Sequence, residues 1–233
     1  MVIGYAPYSI KPEGHFNKRL LALEYLSHAA IAAASTGIGY PATCVGTNMA
    51  YRKKLYQEIG GFGKYKSYIS GDDDPFLTRV REAKKYKIKY AAEAAGHVYN
   101  NPPQLWAKFL HQRMRYASKG LHYSFKMTVA LIAYFMYNLL LLSGAIALFL
   151  QKDLCAFLLP LLALKWLGEF GFISRAGTVL NDRRNLTFFP IAAFLHIPYI
   201  IIFGILGQFN HFRWAEEKAE AGIQNKAQGT LKD

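Results

Sequence analysis

Cysteine is scarce in this chain of 233 residues: there are two, Cys44 and Cys155, in segments of different character. That excludes a disulfide framework and any cysteine-based metal spacing, and both read as free thiols of a reducing compartment. Histidine offers no metal site either. His97, His111, His122 and His196 show no ligand spacing and are expected to be structural. Acidic residues are few, 15 against 28 Lys and Arg, which leaves a formal charge of +13. The start at Met1 has neither the basic opening nor the long apolar core of a secretory signal, and none is expected there. No internal repeat or low-complexity tract is visible.

Apolar residues are abundant, 52% of the chain with 15% aromatic, and they are unevenly spread. Residues 1–124 hold 18 basic and 8 acidic residues, and residues 125–233 hold 10 and 7. A basic soluble-type part is thus joined to an apolar one. This arrangement fits the cytoplasmic face of a membrane, where positive charge is retained and anionic lipid attracts it. Nucleic acid is the rival partner of a basic domain, but no motif for it is present.

In chain order, residues 1–8 read as a strand ending at Pro7, and residues 15–35 as a helix on the spacing of Leu20, Leu23, Leu26 and Ile31. Cys44 to Tyr51 reads as a strand with Gly46 inside it, a sign of close approach by a ligand or another backbone. Arg52 opens a short helix that Gly60-Gly61 closes. A helix from about Pro75 to Tyr86 takes Asp74 as its N-cap, and residues 87–92 form an edge-like strand. Residues 104–119 make a basic amphipathic helix. It suits either a membrane surface or packing of its own apolar stripe, Leu105, Trp106, Phe109 and Leu110, on the domain. Three segments of membrane length follow, at 125–150, 154–173 and 188–209. The second holds Lys165 and Glu169, one turn apart and expected to neutralise each other. The loop 174–187, with Arg175, Arg183 and Arg184, is expected on the cytoplasmic side, and a third span would put the tail 210–233 outside.

Two groups of residues could carry chemistry. Asp72, Asp73 and Asp74 form an acidic run at the start of a helix. They could clamp a Mg²⁺ or Mn²⁺ ion bound to a diphosphate, supply a general base for an attacking hydroxyl, or cap the helix as solvated acids. Gln112, Arg115 and Tyr116 share one helical face. An amide, a guanidinium and an aromatic there can hold a diphosphate oxygen and stack on a sugar, or form a plain polar face at a membrane interface.

Val45-Gly46-Thr47-Asn48, Gly60-Gly61-Phe62, Gly71-Asp72-Asp73 and Gln112-Arg113-Met114-Arg115-Tyr116 occur in one order. In this the chain resembles the membrane-associated family 2 glycosyltransferases, the group of the cellulose, chitin and hyaluronan synthases. The resemblance implies an α/β fold: part of a Rossmann-like nucleotide-sugar transferase domain over 1–124 that ends in an interfacial helix, about three transmembrane helices over 125–209, and a polar tail over 210–233. It implies inverting transfer from a nucleotide-sugar donor to a glycan or lipid acceptor, with Asp73 as base beside Asp72. Gln112, Arg115 and Tyr116 take the Gln-x-x-Arg-Trp motif, with Tyr for Trp. The Mg²⁺ or Mn²⁺ ion of the family would find its ligands outside this chain, since the donor-binding half expected before residue 72 is not seen. The alternative is a non-catalytic membrane protein that binds a glycan or lipid carrier, or a split subunit needing a partner.

Overall fold

The computed structural model describes residues 1–10, 15–63, 73–103, 106–118, 120, 125–147 and 155–209. The centre of its soluble part is a small mixed sheet. β1 (Val2–Gly4) lies between β2 (Met49–Ala50), antiparallel, and β3 (Lys89–Ala91), parallel. The strand expected over residues 1–8 is regular only as far as Gly4. Pro7 has no N–H to donate, and the rest of the segment runs extended beside 98–100, with Asn100 N–H donating to Pro7 O at 2.9 Å. The expected strand 44–51 is mostly a 3-10 turn, Gly46–Asn48, with β2 after it.

The 22-residue helix α1 (Phe16–Gly37) lies on the sheet. Its apolar spacing buries Leu23 and Leu26 to 2% exposure, worth roughly 1.5–3 kcal/mol each, and its alanines admit close neighbours. Leu23, Tyr25 and Leu26 of α1 share one cluster with Tyr5 and Tyr8 and with Ile173, Phe189 and Ala193 of the apolar half. The two halves therefore share one core. α2 (Lys53–Ile59) ends as expected at Gly60, which takes φ +75° and closes the helix with its N–H on Gln57 O. α3 (Asp73–Glu82) packs Phe76 and Val80 against Leu55 of α2 in an aromatic cluster. Arg79 of α3 donates to Gly61 O at 2.7 Å and to Ile59 O, holding the end of α2.

α4 spans Trp106–Ser118. α5 (Phe125–Ala147) and α6 (Cys155–Val179) form an antiparallel hairpin. Tyr137 donates to Leu161 O at 2.8 Å, and Gly144 lies against Leu158. Lys165 and Glu169 pair as expected, joined by Tyr134, whose hydroxyl donates to Glu169 Oε1 at 2.8 Å, and by His196. α6 runs six residues beyond the expected 173, because Ile173 and Leu180 belong to the core shared with Tyr5 and Leu23.

Among the described residues two helical stretches, Phe125–Ala147 and Leu186–Phe209, are long and apolar enough to cross a membrane, where three were expected. The second contains α7 (Phe189–Leu206), which does not stand apart from the soluble part. Phe188 meets Phe16 and Arg19 of α1, Tyr199 donates to Glu24 at 2.7 Å, and Phe203 meets Phe109 of α4. Just beyond α7, Gly207 lies so close to α4 that a Cβ on it would meet Ala117 Cβ at 2.6 Å. The loop after α6 is also docked. Tyr5 of the soluble part donates to Asp182 Oδ2 at 2.9 Å, and burial followed by the Asp182 charge holds that phenol far above its usual range.

Candidate functional site

The acidic run separates into residues with different jobs. Asp72 lies outside the described residues. Asp74 was expected as the helix cap; instead it stands within the first turn of α3 and is buried at 5% exposure. Its Oδ1 accepts from Thr43 Oγ1 at 2.8 Å and from the Cys44 N–H at 3.0 Å. It fastens α3 to the segment before Gly46, a structural role that sequence spacing could not separate from capping. Asp73 is half-buried at the start of α3. Its Oδ2 accepts from the Gly46 N–H at 3.2 Å, and its Oδ1 accepts from the Asp74 N–H at 2.9 Å. The neighbour of Gly46 is this side chain rather than another backbone, and a Cβ there would lie 3.6 Å from Asp73 Cβ, an ordinary contact that does not itself require glycine. Two amides fix the direction of the carboxylate.

The turn that presents Gly46 is itself pinned. Asn48 Nδ2 donates to Tyr5 O and to Gly96 O, both at 2.8 Å. A Cβ at Gly4 would meet that nitrogen at 2.6 Å, so only glycine leaves room for this staple in β1. Asn48 thus serves the geometry of the Asp73 loop through the backbone.

The second group lies on α4. Gln112 Nε2 donates to Tyr116 Oη at 3.1 Å, so the expected common face is present. Arg115 Cζ lies 5.4 Å from the Tyr116 ring centre and Arg113 Cζ 5.5 Å from it. The structure brings Gln112, Arg115 and Tyr116 together beside α1, where His28 meets Tyr116 edge-on. Asp73 is held by the Gly46 N–H after the segment that Asp74 fastens.

Arg113 is the residue that sequence reasoning misplaced. It was counted with the basic face of α4, yet its side chain is fully buried and ion-paired to Glu24 of α1. Glu24 also accepts from Tyr199 of α7 at 2.7 Å and has His28 Nε2 at 3.6 Å. Burial, the largest influence, would raise the Glu24 carboxyl, but the Arg113 guanidinium, His28 and the Tyr199 hydroxyl together hold it below its usual range. For Arg113, burial is the largest influence and acts downward, but Glu24 with Tyr199, Tyr8 and Tyr116 together hold the guanidinium above its usual range. Nearby, burial pushes the Tyr8 phenol up to about 12. A signal existed: Trp106, Phe109, Leu110 and Arg113 fall at i, i+3, i+4 and i+7, so Arg113 continues the apolar stripe. Phe109 and Arg113 of that stripe pack on the molecule itself, Phe109 against Phe203 and Arg113 against Glu24.

Among the described residues the acids of this run, Asp73 and Asp74, are not arranged to hold a divalent cation. Asp74 is committed to Thr43 and Cys44, and both oxygens of Asp73 already accept backbone N–H groups. Among the described residues no group of three or more His, Cys, Asp and Glu is placed to hold a metal.

An oriented carboxylate at a glycine turn and an amide–guanidinium–phenol face, both on an α/β part fused to apolar helices, are parts suited to group transfer to a hydroxyl. The model of the glycosyl transferase family group 2 matches residues 3–206, from β1 to the end of α7. The chain belongs to that family and is a glycosyltransferase, and membership implies a nucleotide-sugar donor and a glycan acceptor. Neither a curated protein nor a solved structure matches it.

Proposed function

We propose that this protein transfers a sugar from a nucleotide-sugar donor to a hydroxyl acceptor at the cytoplasmic face of a membrane, with Asp73 as the general base. The acceptor hydroxyl gives its proton to the Asp73 carboxylate as its oxygen bonds to the anomeric carbon. The bond from that carbon to the diphosphate oxygen breaks on the opposite side, which inverts the centre. Gln112, Arg115 and Tyr116 form the acceptor and diphosphate face. The cationic Arg115 beside Tyr116 suits an anionic leaving group.

The observation that carries the assignment is the division of labour between neighbours. Asp74 is buried and spent on Thr43 and Cys44, whereas Asp73 is oriented by two amides and half-exposed. Of the two, Asp73 is the carboxylate that can meet a substrate. A base so positioned contributes about 10²–10⁴-fold.

The donor nucleotide and its cation are held by residues outside this chain, as the poor fit of its acids to a metal suggests. The chain alone then binds nucleotide sugars weakly, and micromolar binding by calorimetry would contradict this. The cytoplasmic placement is supported by the docked loop after α6, where exposed Arg183 and Arg184 flank an Asp182 bonded to the soluble part. Kinship to the polysaccharide synthases is part of the same proposal. It is tested by analysing the product from a panel of nucleotide sugars, where a chain of repeated units supports it and a single added sugar opposes it.

A further inference from the structure

We infer that Glu24 and Arg113 are positioning residues of the α4 face: their buried ion pair sets the ring of Tyr116, and they act on substrate only through that ring. This rests on the reading of the face as the acceptor and diphosphate site. Arg113 stands inside the motif, between Gln112 and Arg115, yet its side chain has no exposed surface. Gln112, Arg115 and Tyr116 are half-buried. A substrate on the face therefore meets those three and not Arg113.

Two of the groups around the Tyr116 ring trace back to one carboxylate on α1. The Arg113 guanidinium lies 5.5 Å from the Tyr116 ring centre and 5.2 Å from that of Phe109. Its Nη2 is paired with Glu24, while Nε and Nη1 meet no hydrogen-bond acceptor among the described residues. The rest of the cation is therefore spent on the two rings. Glu24 is fixed in turn by the Tyr199 hydroxyl of α7 at 2.7 Å. His28, one turn further along α1, has Nε2 3.6 Å from the same carboxylate and meets Tyr116 edge-on, with ring centres 6.1 Å apart. Gln112 then fixes the far end of the ring by donating to Tyr116 Oη at 3.1 Å. A buried ion pair is a poor source of stability, since apolar side chains of similar volume do as well or better. Phe109 and Phe203 already make this neighbourhood apolar. What an apolar residue cannot supply is a planar cation against the ring, directed by a carboxylate on another helix. The pair is thus spent on geometry.

Arg113→Lys and Glu24→Asp keep both charges and change only the geometry, so they separate positioning from stability. In membranes from the native cells, labelled-sugar incorporation is compared for Arg113→Lys, Tyr116→Leu and the two together, at matched protein level. Arg113→Lys is expected to lower incorporation about 10-fold. It should add no further loss once Tyr116→Leu is present, because it acts through that ring. Losses that multiply overturn the inference, and so does full activity of Arg113→Lys. A second arm needs no activity. The purified full chain carrying 3-fluorotyrosine is read by fluorine NMR, with two signals identified by their loss in Tyr116→Phe and in Tyr51→Phe. Arg113→Lys and Glu24→Asp should each move the Tyr116 signal and leave that of Tyr51, which sits in the aromatic cluster of α2 and α3. An unmoved Tyr116 signal overturns the inference, and equal movement at both residues reduces the pair to a structural role and overturns it too. If the wild-type chain supports no incorporation from any donor, the reading of the reaction fails, and the fluorine arm alone decides whether the pair sets the ring.

Discussion

At the scale of single residues, adjacent acids do different things, and two substitutions should separate them. Asp74→Ala leaves the Thr43 hydroxyl and the Cys44 N–H without their acceptor. A loss of about 1–3 kcal/mol is expected for each group left buried and unpaired, read by denaturant unfolding. Asp73→Asn should leave unfolding almost unchanged. A third substitution tests the buried ion pair. Because the Glu24 carboxyl is held below 4.5, its contribution to stability is present above that value and is lost as pH falls through the lower, folded value. Glu24→Gln should therefore flatten the acid side of the stability profile. It should also cost about 3–5 kcal/mol at neutral pH by stranding the Arg113 charge. Removing both charges, with Arg113→Met added, should cost less than the two changes summed. The candidate residues on α4 were legible because a helix fixes i, i+3 and i+4 neighbours. The partner of Arg113 was not, because Glu24 lies on another helix and nothing in a single sequence records which helices touch.

At the scale of elements, α1, α2, α4 and α5 were legible within a few residues, since apolar spacing, Gly60 and the long apolar run mark them directly. The strands were less so. β2 and β3 are two and three residues long, too short for alternation to show, and pairing with β1 defines them. The limit of α6 was hidden for a related reason: the helix runs on to Val179, and Leu180 just beyond it is buried in the cluster that holds Tyr5, Leu23 and Ile173. The packing of α4 on the end of α7 depends on Gly207. A Cβ there would meet Ala117 Cβ at 2.6 Å and the Ser118 backbone nitrogen at 2.9 Å. Backbone cannot yield as a side-chain tip can. Gly207→Val should therefore push α4 away, seen as faster amide exchange over residues 106–118 with α3 unchanged. Equal exchange in both proteins would show that the contact carries no such constraint.

At the scale of the whole molecule, the soluble and apolar halves were expected as successive domains, and they share a core instead. Tyr5, Leu23, Ile173, Phe189 and Ala193 pack together across about 190 residues of sequence. Cutting after residue 124 should therefore give an insoluble or unfolded product, and a stable, monomeric, cooperatively unfolding fragment 1–124 would contradict the shared core. Hydropathy identified which segments are apolar but not that α7 spends one face on α1 and α4. The central claim, a glycosyltransferase whose base is Asp73, is tested most directly in membranes from the native cells. There the chromosomal copy is replaced in turn by wild type and Asp73→Asn, and incorporation of labelled sugar is followed across a panel of nucleotide-sugar donors. The expected result is incorporation that depends on the wild-type chain and falls by about 10²-fold or more with Asp73→Asn, at unchanged protein level. Undiminished incorporation with Asp73→Asn would contradict the account.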